Sequence, residues 1–207
     1  MKRTVTFFGI IGMVIMLMLL LVVLGCQKKQ PQVKIDQQPL EAVADANFET
    51  VYWYVKAFNP QGKLLNVMAV DADGHTYEVK AIQDSDQTSV MDVKAFVNDK
   101  ILPVKVLVSL DKYMPVKAID ENGTIIDVKA FTEEGEKLDV KGTRQSGNII
   151  HLSVVDKDGL LYNIEAISPK GWINDVKGIK MMKEPIEVVI NGVDVYAHIK
   201  SIPQQYQ

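Results

Sequence analysis

Lys117, Lys129 and Lys141 recur every twelve residues, each held between valine and a small residue in Val-Lys-Ala or Val-Lys-Gly. Asp127 and Asp139 stand two positions before the second and third of these lysines. Ammonium and carboxylate groups at fixed spacing suit two chemistries. They make a charged binding surface, or they neutralise one another across a β-sheet. Other reactive side chains are sparse. The three histidines, His75, His151 and His198, have no zinc-ligand spacing. Asp71-Ala72-Asp73-Gly74 and Asp156-Lys157-Asp158-Gly159 carry the opening acidic pair of a calcium loop, but not its third acidic ligand or its closing glutamate, so they read as turns. Glu165 and Asp175 are the acidic residues to which acid–base work on a polysaccharide would fall. No nucleophile elbow, phosphate-binding loop or H-E-x-x-H motif occurs. No metal, cofactor or catalytic residue is expected.

The lysines belong to a longer frame that must position them. The triplet lysine falls at 56, 80, 94, 105, 117, 129, 141 and 177, mostly at intervals of 12 or 24. Met68, Ser153 and Glu165 occupy the same place in "NVMAVDADG", "HLSVVDKDG" and "YNIEAISPKG". The frame therefore keeps an apolar residue before this position, usually a small one after it, and a turn, whether or not the lysine is there. The turns read "NPQG", "DADG", "DENG", "TEEG", "RQSG", "DKDG" and "SPKG". A glycine in fourth place, usually behind an opening Asn, Asp, Ser or Thr, predicts a type I turn closed by a left-handed glycine, which joins antiparallel strands. "VVINGVDVY" carries the two-residue Asn-Gly hairpin signal. Between turns the chain alternates with period two and favours Val, Ile, Tyr and Phe. These features predict an all-β fold from Tyr52 onward. It is an antiparallel meander of about a dozen short strands, either a sandwich or a rolled, barrel-like sheet. The runner-up, a parallel β-solenoid, has no use for hairpin turns. The frame breaks at "QDSDQT", at "VNDKILPVKVLVSLDKYMP" and at "KMMKEP", where the sheet is expected to bend or end.

Turn type fixes register. It pairs Lys117 with Asp127 and Lys129 with Asp139, and continues inward to Val116 with Val128 and Val128 with Val140. One face then holds Val116, Ala118, Ile126, Val128, Ala130, Leu138 and Val140. The other holds the Lys/Asp ladder with Ile119, Ile125 and Phe131. The same counting sets Lys141 against His151 and Glu165 against Asp175, the two pairs that architecture explains least. Each Lys–Asp pair contributes about 0.2–1 kcal/mol, which a solvated sheet face accounts for. The candidate surface ladder is Lys117, Asp127, Lys129, Asp139, Lys141 and His151. Trp53 shares the core register with Val55 and Ala57, whereas Trp172 follows a turn glycine and is expected to be partly exposed.

The N-terminus is of another kind. Met1-Lys2-Arg3 precedes an uncharged run from Thr4 to Leu24 that ends in Val23-Leu24-Gly25-Cys26, and Cys26 is the only cysteine. This end resembles the lipobox of bacterial lipoproteins. The resemblance implies cleavage before Cys26 and lipid on its thiol, with several acyl chains giving stable anchoring. An uncleaved transmembrane anchor is the alternative, since the run reaches the ~20 residues of a span. Either way the remainder lies outside the cytoplasm, and one cysteine forms no internal disulfide. The expected organisation is a signal peptide over 1–25, lipidated Cys26 with a polar, Gln-rich tether over 26–50, and a repeat domain over 51–207. With Lys2 and Arg3 removed, 21 of the 23 basic residues face 26 acidic ones. That balance offers no footprint for nucleic acid.

The repeats over Tyr52 to the C-terminus resemble uncharacterised lipoproteins of Bacteroidota with tandem "DVKAI…G" segments. The resemblance implies an envelope protein and assigns no activity. In such proteins an acidic stretch after the cysteine signals surface export. Gln27-Lys28-Lys29-Gln30 lacks it, which favours a periplasm-facing membrane, the outer membrane first. The expected function is a membrane-anchored, non-catalytic module that binds an envelope protein or glycan. A self-associating structural repeat protein is the alternative, and a polysaccharide-active enzyme comes third.

Overall fold

The structure, a computed structural model, describes residues 48–204. Its strands are β1 (Val51–Phe58), β2 (Leu64–Val70), β3 (Thr76–Gln83), β4 (Met91–Val97), β5 (Lys100–Leu107), β6 (Met114–Ile119) and β7 (Ile125–Phe131). They continue with β8 (Lys137–Ser146), β9 (Ile149–Val155), β10 (Leu161–Ile167), β11 (Ile173–Ile179), β12 (Val188–Ile190) and β13 (Val193–Pro203). All thirteen belong to one antiparallel sheet, so the all-β meander is correct and the parallel solenoid is not.

The pairing closes the sheet on itself. In β7, one edge runs along β2, from Asp127↔Val70 to Phe131↔Asn66. The other edge is divided: Ile125–Asp127 pair with β6, and Lys129–Phe131 pair with β8. Strands β6 and β8 also touch each other, through Pro115↔Lys141. Three strands thus meet in a triangular hub. The same triangle forms from β1, β2 and β3, from β9, β10 and β11, and from β4, β5 and β13. We number these hubs 1 (β1–β3), 2 (β6–β8), 3 (β9–β11) and 4 (β4, β5, β13). The ladders β1–β10, β2–β7, β3–β4, β5–β6, β8–β9 and β11–β13 join every hub to every other hub once. Four triangles linked in all six ways have the connectivity of a truncated tetrahedron. The result is a rolled sheet without a long free edge, and the short strand β12 is an addition to β13 alone among the described residues.

Closure explains the composition of the repeat. The residues flanking the lysine position face inward, and all of them are buried: Val55 and Ala57, Val67 and Ala69, Val128 and Ala130, Ile164 and Ala166, and so on around the shell. The core lies inside the sheet, which needs no second layer to cover it. Space there is short. At Gly178 a Cβ would lie 2.8 Å from Ile150 Cβ, and at Gly142 it would lie 3.0 Å from Ile150 Cγ2. The small residue of the repeat makes room for such neighbours.

The turns sort by destination. Six glycine turns, ending at Gly62, Gly74, Gly123, Gly135, Gly159 and Gly171, connect strands within a hub, and all six glycines have positive φ. Their opening residue bonds its own turn. Asp120 Oδ1 accepts from the amides of Asn122 and Thr124 at 2.8 and 2.7 Å, and Asp156 Oδ1 does the same for Asp158 and Leu160. The irregular segments carry the chain from one hub to another: 84–90 from hub 1 to hub 4, 108–113 from hub 4 to hub 2, and 180–192 from hub 3 back to hub 4. Within hub 4, β4 and β5 are joined by Asn98-Asp99, both left-handed, without a glycine. The expected Asn191-Gly192 hairpin is present between β12 and β13.

Three expectations of register need correction. "RQSG" is not a four-residue turn. β8 runs on to Ser146, a bulge falls between Gly142 and Arg144, and the loop to β9 is Gly147-Asn148. Lys141 therefore faces Ser153, and His151 faces Arg144 on β8 and Lys177 on β11. Val116 does not pair with Val128, nor Val128 with Val140, because the hub strands diverge one residue before those positions. Ile119 shares the lysine face in register but is fully buried, in a small cluster with Leu107 and Val195, to which Ile190 and Val193 add. That cluster is built by the 180–192 excursion and β13. Trp53 is buried and Trp172 is 70% exposed, as expected.

Candidate functional site

Each hub presents a ring of six outward residues. The residue at the lysine position of one strand pairs with the residue two places earlier on the next strand. In hub 2 the ring reads Lys117, Asp127, Lys129, Asp139, Lys141 and Pro115. Lys117 Nζ donates to Asp127 Oδ1 at 2.5 Å, and Asp127 Oδ2 lies 3.5 Å from Lys129. Lys129 donates to Asp139, whose other oxygen lies 3.4 Å from Lys141. The five charged residues of the expected ladder form one continuous chain, and His151 belongs to another hub. Burial works to raise the pKa of Asp127, but the Lys117 hydrogen bond and the charges of Lys117 and Lys129 outweigh it, and the carboxyl sits below its usual range. Asp139 is lowered against burial in the same way by Lys129 and Lys141. Burial disfavours the charge on Lys129, yet Asp139 and Asp127 leave its pKa raised.

Hub 1 is aromatic. Lys56 donates to Asn66, and Lys80 lies 2.6 Å from Glu78. Lys80 also sits 5.6–5.8 Å from the ring centres of Tyr52, Tyr54 and Phe96, within cation–π range. Hub 3 is acidic and polar. Glu165 faces Asp175 directly, as expected. Burial, followed by the charge of Asp175, raises the pKa of Glu165. Lys177 lies 3.4 Å from Asp175. The His151 imidazole is lowered by burial first, then by Lys177 and Arg144.

Hub 4 completes the set. Its ring is Asp92, Lys94, Pro103, Lys105, His198 and Lys200. Lys200 is the repeat member that the sequence frame passed over, because the 180–192 excursion separates it from Lys177 by 23 residues. Lys200 donates to Asp92, and Lys94 lies 3.5 Å from the same carboxylate. Lys105 is only 7% exposed, and its Nζ lies 2.8 Å from His198 Nδ1. Burial lowers the pKa of Lys105 to about 8, with Lys94 and Lys200 adding to the effect against Asp92. Burial and then Lys105 lower that of His198 as well.

Other features belong to turns or to the excursion. Asp71, Asp73 and His75 bring ligand atoms within 4.8 Å of one another. Asp71 is already engaged by the amides of Asp73 and His75 and by the Tyr77 hydroxyl, at 2.8–3.0 Å. A hollow of about 390 Å³ lies among turn residues that include Asn59, Glu133, Asp156 and Tyr162, and neither Glu165 nor Asp175 lines it. In the excursion, Lys180 is buried and donates to the carbonyls of Glu184 and Tyr196 at 2.7 and 3.1 Å. Buried Glu187 accepts from the amides of Met181 and Met182 at 2.7 and 3.0 Å. Cys26 lies outside the described residues.

A family model described as "Family of unknown function (DUF7486)" matches residues 49–202, from before β1 to the penultimate residue of β13. No curated protein and no solved structure matches the chain.

Proposed function

The chain belongs to this family of unknown function, and from its geometry we propose that it is an envelope-anchored, non-catalytic binding module. One observation carries the reading. The lysine-position residues and their ring partners lie on the outward face of a closed shell, and in hubs 2 and 4 they are held to one another by ion pairs and hydrogen bonds. Side chains fixed in this way form preorganised recognition surfaces, which lowers the entropy cost of binding. The lipobox-like end at Val23–Cys26 supplies the membrane partner, by lipid on Cys26, and the polar stretch after it supplies reach. An envelope protein or glycan is the counterpart on the shell, and the periplasm-facing leaflet of the outer membrane is the favoured site.

Two measurements test this. Labelling with a fatty-acid probe in a lipoprotein-processing host should mark the native chain and leave Cys26→Ser unmarked; equal labelling refutes the anchor. Affinity capture from envelope extract should recover a partner with the native chain and lose it with Lys117→Glu and Lys129→Glu together. Capture unaffected by that change removes the outer face from the function. The structural, self-associating reading has little to work with here. β12 is the strand with a single partner among the described residues, it is three residues long, and edge-to-edge association needs a longer edge.

A further inference from the structure

The lysines are not spread evenly over the shell. Each ladder between hubs sets two lysine-position residues directly opposite each other. Three of the six ladders pair unlike or neutral groups: Lys56 with Glu165, Met68 with Lys129, and Lys141 with Ser153. The other three pair lysine with lysine: Lys80↔Lys94, Lys105↔Lys117 and Lys177↔Lys200. All three of these start from hub 4. Like charges directly opposite destabilise a sheet, and stability alone gives no reason to gather them at one corner.

Hub 4 has one ring carboxylate for its three lysines, where hub 2 has two. In hub 2 the positions two before the lysines are Pro115, Asp127 and Asp139. In hub 4 they are Asp92, Pro103 and His198. Asp92 serves both Lys94 and Lys200. Lys105 has no carboxylate partner among the described salt bridges; its nearest acceptor is an imidazole nitrogen, although the residue is more than nine-tenths buried. A buried ammonium with one imidazole acceptor, acted on by the charges of Lys94 and Lys200 and offset by Asp92 alone, is an unfinished electrostatic arrangement. A compact anion of high charge would finish it.

We infer that hub 4 is a binding site for a phosphate group, held by Lys94, Lys105 and Lys200 with His198 as neighbour. The inference rests on the outer face being a binding surface, and it names the chemistry that one corner of that face recognises. Three ammonium groups from three strands match the several acceptor oxygens of phosphate better than the single charge of a carboxylate. The groups facing the site are Asp92, Lys94, Lys105, His198 and Lys200, with Glu187 behind His198 and Lys80, Lys117 and Lys177 one ladder away. Lys105 is poised near pKa 8, so affinity should fall as the pH rises past that value.

The full chain in an uncharged maltoside detergent is titrated with inorganic phosphate and, separately, with a glycerol phosphodiester that stands for a lipid headgroup, followed by calorimetry. Saturable binding of either supports the site. Tighter phosphate assigns it to a free or terminal phosphate, and tighter diester to a lipid headgroup. Lys105→Met and Lys94→Gln should each weaken binding about tenfold or more, as loss of one charge-assisted hydrogen bond implies. Lys141→Gln in hub 2 should leave it within about twofold. If Lys105→Met does not fold, as judged by its thermal transition, Lys94→Gln carries the comparison. No saturable binding of either anion, or an equal loss in Lys141→Gln, overturns the inference. Capture of an envelope partner without phosphate binding would leave the binding-module reading in place and remove only this site.

Discussion

The outward lysine has a different meaning in different hubs. In hub 2 each lysine has a carboxylate beside it, Lys129 having two, and the aspartates are 42–44% exposed. Such pairs are modest in worth. A double-mutant cycle on Lys117 and Asp127 should give a coupling below about 1 kcal/mol. The pH dependence has a defined sign. Asp127 and Asp139 have pKa values held below their ordinary ones, so their contribution is complete above the unfolded-chain value near 4 and is lost as the pH falls through the lowered values. The drop in melting temperature between pH 5 and pH 3 should therefore shrink in Asp127→Asn with Asp139→Asn. An unchanged drop means that the pairs do not contribute. The charged pairs of hub 2 were legible in the sequence, because alternating strands and a fixed turn length determine who faces whom. His151 was misplaced for the same reason: an extra bulge residue near Gly142 shifts the count, and nothing local in "GTRQSGN" announces it. Lys105 as a buried ammonium without a carboxylate hydrogen-bond partner was not legible, since its triplet resembles its neighbours' and only closure of the sheet sets Lys117 opposite it and brings the charges of Lys94 and Lys200 to bear on it.

A strand of this shell is defined by its two edges as much as by its two faces. Period-two alternation told which side chains face inward, and every inward position read from "PVKAIDENGTIIDVKAFTEEGEKLDV" is buried. Alternation carries no information about where a strand changes partner. The divided edge of β7, shared between β6 and β8, is therefore invisible in sequence, and the inner pairs Val116–Val128 and Val128–Val140 do not form. The breaks in the frame were visible as breaks. Their common meaning, passage from one hub to the next, needed the pairing. Packing at the small-residue position yields a test at this scale. Gly178→Ala sets a Cβ 2.8 Å from the Ile150 Cβ, on the paired strand β9, and 3.2 Å from the buried Val106 of β5. It should destabilise by about 1–3 kcal/mol in denaturant titration. Gly142→Ala meets Ile150 Cγ2 at 3.0 Å and Met114 Cβ and Cε at 3.3 Å, longer approaches than at Gly178, and should cost less. The reverse order would mean that the interior is not as crowded at Gly178 as the close approach implies.

The shell as a whole exchanges linear order for closure. In a stacked array each repeat touches two neighbours, and ends can fray. Here each repeat strand contacts two others in its hub and one in another hub, so loss of one strand exposes edges on three. Native-state hydrogen exchange should report this as one cooperative unit, with amides of all four hubs opening at a common free energy and the 180–192 excursion opening earlier. Stepwise opening hub by hub would contradict it. Distant ladders such as β1–β10 and β4–β13 must form before the surface is sealed, which predicts slow folding for a domain of this size. The same closure bears on how such a chain can change over generations. Tandem repeats ordinarily lengthen and shorten by unequal duplication, one unit at a time. Three strands at each of four corners use up the edges that the shell needs for closure, leaving only the end of β13 that takes the short β12, so a thirteenth full repeat would have no hub to join and a lost unit would leave a hole. Additions must be made as excursions that lie on the outside, as residues 180–192 do, and the number of repeats in the shell is held at twelve by geometry.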